Sequence, residues 1–303
     1  MSVMNRNLIT PLLFTLFTPF MAWAIDLQPN DVVAPPPGKN LITISYINTE
    51  NTTLYSNGSV GISKPKSLYT NPVIDTQLAL LRGATTYTLG ELPAVSYIQL
   101  PYGIVKPAGS LSSVSSDSGI GDLTVATAIW PYHNKATRTY VGLAGYLISP
   151  TGSYSSQRAF NISENRFRTD IQLAFQTPLS DSVDAMVAVD TMWFGGNSQC
   201  ATACGLASNG SLTQKPLTTT QLGPIYRINQ IFTVGASYFY VAGGATSINN
   251  NYMNNVANTQ RFLLSSQAHT PIGRISLQYG RDMEIKNGFV QTRLLALRLM
   301  KDF

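Results

Sequence analysis

Charge is scarce in this chain. Asp, Glu, Lys and Arg make up 12% of its 303 residues, against roughly 25% in an average soluble domain. Long apolar runs are missing too. Beyond Ile25 none approaches the ~20 residues that a membrane-spanning helix requires, although the hydrophobic fraction, 44%, is ordinary. Clusters of Lys and Arg are also lacking: the net charge of +5 comes from basic residues scattered singly, without the footprint of a nucleic-acid surface. Histidine is confined to His133 and His269, and cysteine to Cys200 and Cys204. These shortages argue against a helical membrane protein and against a nucleic-acid partner, and they leave little for metal or nucleophile chemistry. The composition suits a chain that alternates its faces. A transmembrane β-barrel satisfies it, because only every second residue of a strand meets lipid.

Both ends fit that class. Arg6 charges a short leading region, residues 8–20 are apolar but interrupted by Pro11 and Pro19, and Ala22-Trp23-Ala24 offers small residues at the two positions a signal peptidase reads. Residues 1–24 therefore read as an export signal cleaved before Ile25, too short for a stable spanning helix. At the other end, stepping back by two from Phe303 gives Lys301, Leu299, Leu297 and Leu295. A last strand with an apolar stripe and a terminal aromatic carboxylate is how bacterial outer-membrane barrels end. Phe303 is the expected end signal, through which the last strand engages the barrel-assembly machinery. The expected location is a bacterial outer membrane, with its lipid as the surrounding partner.

Residues 25–39 hold Pro29, Pro35, Pro36 and Pro37 and read as an extended periplasmic lead-in. Residues 40–303 follow a period of two, in twelve runs: 41–53, 72–89, 92–106, 119–132, 136–150, 164–178, 182–195, 215–228, 230–247, 258–271, 273–285 and 289–303. Most exceed the length of about five or six residues usual in soluble strands. They suit tilted membrane strands of ~9–11 residues with extensions above the bilayer. Connections after the odd runs are long and polar at 54–71, 107–118, 151–163, 196–214 and 248–257, with only 286–288 short. Those after the even runs are tight, around 90–91, 133–135, 179–181, 229 and 272. Long loops on one side and tight turns on the other are the topology of an outer-membrane barrel. The expected fold is all-β, a transmembrane antiparallel barrel of about twelve strands.

Alternation assigns the faces. Phe167, Thr169, Ile171, Leu173 and Phe175 oppose Arg166, Arg168, Asp170, Gln172 and Gln176; Val183, Ala185, Val187, Val189 and Trp193 oppose Asp184, Met186, Ala188 and Asp190. Leu123, Val125 and Ile129 oppose Asp122, Thr124 and Ala126, and Ile275, Leu277 and Tyr279 oppose Arg274, Ser276, Gln278, Asp282 and Glu284. A lipid-facing charge at the midplane costs ~2–4 kcal/mol, so the polar sets face inward. The candidates for lining the lumen are Arg82, Arg166, Arg168, Asp170, Asp184, Asp190, Arg261, Arg274, Asp282 and Arg298. Arg293 is the exception, on the lipid face near the outer interface. Trp130, Trp193, Tyr87, Tyr97 and Phe303 are candidates for aromatic girdles.

Cys200 and Cys204, so close together in an exported chain, read as a small disulfide loop. A metal would need further soft ligands, and neither histidine is near in sequence. A hydrolase acting on outer-leaflet lipid would need a histidine beside a serine at the outer rim, whereas His133 falls in a periplasmic turn and His269 near the periplasmic end of its strand. Gly119-Ile-Gly-Asp is followed by no helix and is no nucleotide loop. Neither catalysis nor a cofactor is expected. The functional expectation is a channel or transporter for a small-molecule permeant. The alternative is a plugged barrel that is structural or binds through its long loops, as an adhesin does.

Three short motifs sharpen the first reading. Gly119-Ile-Gly-Asp-Leu-Thr precedes an apolar run ending in Trp130-Pro131, Ser149-Pro-Thr-Gly-Ser-Tyr154 follows, and Ser163-Glu-Asn-Arg166 comes after Arg158 and Asn161. In this order and spacing they resemble the meta-pathway phenol degradation family of outer-membrane β-barrel proteins, over most of residues 40–303. The chain departs at Glu164, where that family prefers glycine. The resemblance implies passage of aromatic or other small hydrophobic compounds across the outer membrane.

Overall fold

The computed structural model describes residues 25–56 and 66–303; the export signal read in residues 1–24 lies outside them. The described residues form twelve long strands: β1 (Asn40–Ser56), β2 (Pro72–Leu89), β3 (Leu92–Gly109), β4 (Leu123–Asn134), β5 (Thr139–Ser149), β6 (Arg168–Pro178), β7 (Val183–Phe194), β8 (Leu217–Arg227), β9 (Phe232–Gly243), β10 (Ala257–Thr270), β11 (Gly273–Ile285) and β12 (Gly288–Asp302). Each pairs antiparallel with its neighbours in the chain, and β12 returns to β1 in register from Leu41↔Asp302 to Glu50↔Arg293. The sheet is thereby closed, and its wall strands leave no edge unpaired. Among the described residues no helix is long and apolar enough to cross a membrane. The expected bounds of β2 and β11 are those observed. Between them and their neighbours the turns are marked by glycine, as at Gly90 (φ 61°), a left-handed position that glycine takes without strain.

The wall is inverted relative to a soluble core. On β6, Ile171 and Leu173 are each 54% exposed while Arg168 and Asp170 are each 1% exposed. The same alternation holds on β7, where Asp184, Met186 and Ala188 are buried and Val187, Val189 and Trp193 exposed. Three expectations on faces are corrected. Trp130 and Tyr97 are not girdle residues: Trp130 shares its face with Ala126 and points into the barrel, and Tyr97 shares its face with buried Gln99. Glu284 is exposed rather than inward, because the β10–β11 register shifts between Gln260 and Arg261. Arg293 lies on the outer face, 3.7 Å from Glu50 and donating to Asn48 Oδ1 at 3.3 Å.

The long loops fold rather than trail. Asn197–Cys200, Gly210–Gln214, Thr246–Ile248 and Asn251–Tyr252 form a separate four-stranded sheet. Cys200 and Cys204 are joined by a disulfide and pack with Leu212 and Ile248. Leu111, Phe160 and Ile162 turn inward and bury themselves against Leu54, Ile74, Val105 and Phe289 at the loop end of the wall.

The three sequence motifs converge here. Asp122 accepts hydrogen bonds from Gly152 N (3.2 Å), Glu164 N (3.2 Å), Ser163 Oγ and Arg168 Nη2 (3.2 Å). Asn165 takes a left-handed φ of 54°, a conformation its short polar side chain tolerates. The first motif does not continue into β4: Asp117–Ile120 pairs separately on β3, so β4 begins only at Leu123. Gly152 leaves no room for a side chain, since a Cβ there would sit 2.6 Å from the carbonyl carbon of Gly121. Gly152→Val is therefore expected to cost about 1–3 kcal/mol by overpacking. Gly145→Ala, with nothing within 4 Å, should stay within about 0.5 kcal/mol of wild type. Heat-modifiability on gels would read both; equal behaviour of the two variants would refute this packing argument.

Candidate functional site

The Pro-rich segment, expected as an extended periplasmic lead-in with partial closure of the passage as one role for it, enters the barrel. Ile25, Gln28, Val32 and Ala34 are buried. The segment has few donors of its own where prolines interrupt it, and the lumen supplies side chains that satisfy its main chain. Gln221 on β8 accepts from Leu27 N at 3.0 Å and donates to Leu27 O at 2.8 Å. Gln267 on β10 donates to Pro29 O at 3.2 Å, Gln172 on β6 to Ile25 O at 3.1 Å, and Trp130 on β4 to Val32 O at 2.7 Å. Gln278 on β11 accepts from the Gln28 side chain at 2.8 Å. At the rim, Thr86 Oγ1 on β2 donates to Pro36 O at 2.7 Å and accepts from Lys39 N at 2.9 Å. Val32 and Ala34 complete an apolar cluster with Trp130, Tyr140, Met186 and Ile225.

Two carboxylates fasten the segment. Asp31 lies 3.1 Å from Arg274 Nη2 and 2.9 Å from Arg298 Nη1, and it accepts from Gln28 N at 3.0 Å. Burial alone would push its carboxyl up, but Arg298, Arg274 and the Gln28 N–H outweigh burial and hold it below the ordinary carboxylate range. Asp26 lies 2.7 Å from Arg261, whose guanidinium stands 4.2 Å over the Phe239 ring. There burial outweighs Arg261 and the carboxyl is pushed up.

The ten lumen candidates all lie on inward-facing stretches, but they do not form one ring. Arg274, Arg298 and Arg261 hold the segment. Arg82 donates to Gln99 Oε1 at 3.0 Å and 2.7 Å and stands 4.2 Å over Tyr97. At the turn end Asp184 meets Arg227 and Arg138 and accepts from Gln176 at 3.1 Å. At the loop end Arg168 is 2.7 Å from Glu164, and Arg166 donates to Glu164 at 2.9 Å. Burial pushes the Glu164 carboxyl up, but Arg168 and Arg166 prevail and hold it low. Asp282 accepts from Gln291 N at 2.7 Å. Asp170 and Asp190 face the lumen's middle on β6 and β7. Sequence reading missed Asp26 and Asp31, although they are the two acids of the Pro-rich segment, and it missed the inward glutamines that grip it.

Between the segment and the wall lies a cavity of about 700 Å³, lined among others by Arg82, Tyr97, Trp130, Tyr146, Arg274 and Arg298. Tyr97 and Tyr146 meet edge-on at 6.4 Å. His269 borders the same cavity and His133 lies at the exposed end of β4; neither is near the loop end. Among the described residues no group of three His, Cys, Asp or Glu could hold a metal.

The chain is similar in fold to the COG4313 outer membrane channel from Pseudomonas putida F1, at 24% identity over 92% of this chain and 100% of that chain, with a TM-score of 0.84. The β domain of the Bordetella autotransporter BrkA follows at 11% identity over 87% of this chain and 99% of that one, with a TM-score of 0.53. No curated protein matches the chain. The family model described as "Putative MetA-pathway of phenol degradation" matches residues 58–299, which span all three loop-end motifs and the wall from β2 into β12. This outer-membrane β-barrel therefore belongs to that family.

Proposed function

We propose that the barrel is a channel for passive or facilitated uptake of small hydrophobic or aromatic molecules and performs no catalysis. The cavity between segment and wall carries this reading. Its volume of about 700 Å³ falls in the ~300–1,000 Å³ range of small-molecule sites. Its lining pairs aromatic faces with guanidinium groups, which suits a flat, apolar guest. The inward Arg and Asp side chains would select permeants by sign and size. Similarity to an outer membrane channel and membership of a family described by phenol degradation support the same class.

Passage requires the segment to yield. The carbonyls of Ile25, Leu27, Pro29 and Val32 are held by side chains of the wall, and those of Gln28 and Asn30 by the segment's own N–H groups, rather than by a strand ladder. It can therefore leave without breaking a wall hydrogen bond. The same buried segment favours one other reading, a permanently closed barrel that is structural or binds through its loops.

Single-channel recording of the purified protein in a planar bilayer separates the two. Discrete openings that small aromatic compounds block are expected. Arg82→Ala should weaken that block roughly tenfold, the worth of a cation–π contact of about 1–2 kcal/mol. Silence after verified insertion would favour the closed barrel.

Asp31 sets the pH dependence. Its carboxyl is held below the range of the unfolded chain, so its hold on the segment is fully present above that range. The hold is lost as pH falls through the lowered folded value. The raised Asp26 carboxyl should release Arg261 first as pH falls. Wild-type openings should lengthen fully only in acid below the ordinary carboxylate range, where Asp31 also lets go, whereas Asp31→Asn should show long openings at neutral pH. A wild-type transition near neutrality would count against Asp31 as the fastening.

Phe303 is 64% exposed at the end of the wall, accessible to an assembly partner. Phe303→Ala is expected to lower the yield of heat-resistant barrel, and normal assembly would remove its role as an end signal for the barrel-assembly machinery.

A further inference from the structure

The ion pairs described above leave two neighbouring acids of the middle lumen, Asp170 and Asp190, without a cation. Asp170 is 1% exposed, and apart from the Asp190 carboxyl beside it no described residue offers its carboxylate oxygens a hydrogen bond. Asp190 on the adjoining strand lies within coulombic range of both Asp170 and Asp26. The cations around this group are engaged elsewhere. Arg261 holds Asp26, Arg168 holds Glu164 and Asp122, and Arg82 lies against Gln99 and Tyr97. A carboxylate so deeply buried is stable as an anion only beside a cation or strong donors.

The beginning of the segment lies beside Asp170. Ile25 is buried among Ala126, Tyr146, Ile148 and Met192. Tyr146 and Met192 are the two cross-strand partners of Asp170. The Ile25 carbonyl accepts from Gln172, the next residue of β6 on the inward face, about 6–7 Å along the strand from Asp170. Read backwards from the rim at Asn40, the segment passes Arg274 and Arg298 at Asp31 and then Arg261 at Asp26. It climbs toward the loop end as it does so. The Ile25 nitrogen therefore lies on the side of its carbonyl that faces Asp170.

Ile25 is also the residue that follows Ala22-Trp23-Ala24. Hydrolysis of the Ala24–Ile25 bond by water leaves a carboxylate on Ala24 and an α-ammonium on Ile25, with no other reactant needed. We propose that this α-ammonium is the counter-ion of Asp170, with Asp190 beside it, so that export cleavage creates the cationic ligand that pins the segment's tip in the middle of the lumen. The uncleaved chain carries a neutral amide at that position and lacks the pin. The charged and titratable groups facing the site are then Asp170 on β6, Asp190 on β7, Asp26 and Arg261 as a pair, Arg82 on β2 and the Tyr146 hydroxyl on β5.

The test follows the amine itself and is independent of permeation. Intact mass of the outer-membrane form should place the mature start at Ile25; a start elsewhere overturns the proposal. Acetylation of the α-amine with acetic anhydride across pH, read by peptide mass spectrometry, should be roughly tenfold slower at pH 8 than for an exposed peptide amine, since an ammonium beside an anion titrates above its usual range of about 7.7–8.0. Asp170→Asn keeps the shape and burial but removes the charge, and the amine should then label about tenfold faster than in wild type. Asp190→Asn provides a second variant should the first fail to assemble, and it should accelerate labelling in the same direction. Wild-type labelling as fast as that of a free peptide, or slow labelling unchanged by both substitutions in heat-resistant barrels, overturns the proposal.

Discussion

Lipid offers no hydrogen bonds to a backbone, and the rest of this structure depends on that constraint. A strand that crosses a membrane must have both of its edges paired, so a sheet can span only by closing on itself. The β1–β12 ladder performs that closure over most of both strands. Once the ring is closed, each strand has one face in lipid and one in the lumen. The apolar and polar residues then sort in the sense opposite to that of a soluble protein, with guanidinium and carboxylate groups buried and leucine and isoleucine exposed.

A ring of this size leaves an interior that wall side chains alone do not fill. Two unrelated devices occupy it. From the loop end, Leu111, Phe160 and Ile162 fold inward as an apolar layer, supported by the buried carboxylate of Asp122. From the turn end, the Pro-rich segment rises along glutamine side chains and is fastened by Asp31 and Asp26. The two differ in how readily they can move. The outer layer is tied to the wall by backbone and side-chain bonds at once, whereas the segment's grip is largely a set of single amide and carboxylate contacts.

The sequence made some of this legible. The period of two in residues 164–178 and 182–195 identified the inward residues of β6 and β7, because a strand has only two faces and lipid tolerates charge on neither part of its own. Strands β2 and β11 were bounded correctly, because tight turns and polar loops punctuate them. The girdle expectation for Trp130 and Tyr97 fails because each shares parity with a buried neighbour, Ala126 or Gln99, and on a strand parity decides the face whatever the residue type. Glu284 escaped because a register shift between paired strands leaves no trace in either strand alone. The segment's location was legible only as one option for closing the passage, for a different reason. Prolines announce that a stretch is irregular but not where it lies, and the glutamines that hold it at 172, 221, 267 and 278 resemble any polar inward residue. The convergence of three motifs on Asp122 joins residues about thirty to forty-six positions apart, a contact that the pairing of β4, β5 and β6 creates.

The glutamine contacts have a bearing on how this interior can change. Gln172, Gln221 and Gln267 each grip a main-chain atom of the segment, and Trp130 does the same. A clamp that reads peptide groups is indifferent to most of the side chains it passes over. The cradle and its occupant can therefore drift apart in sequence without losing their fit, and one barrel could accept differently lettered plugs. Such a wall is a reusable socket, in which the aperture can be retuned by rewriting a few residues near the chain's start while all twelve staves stay as they are.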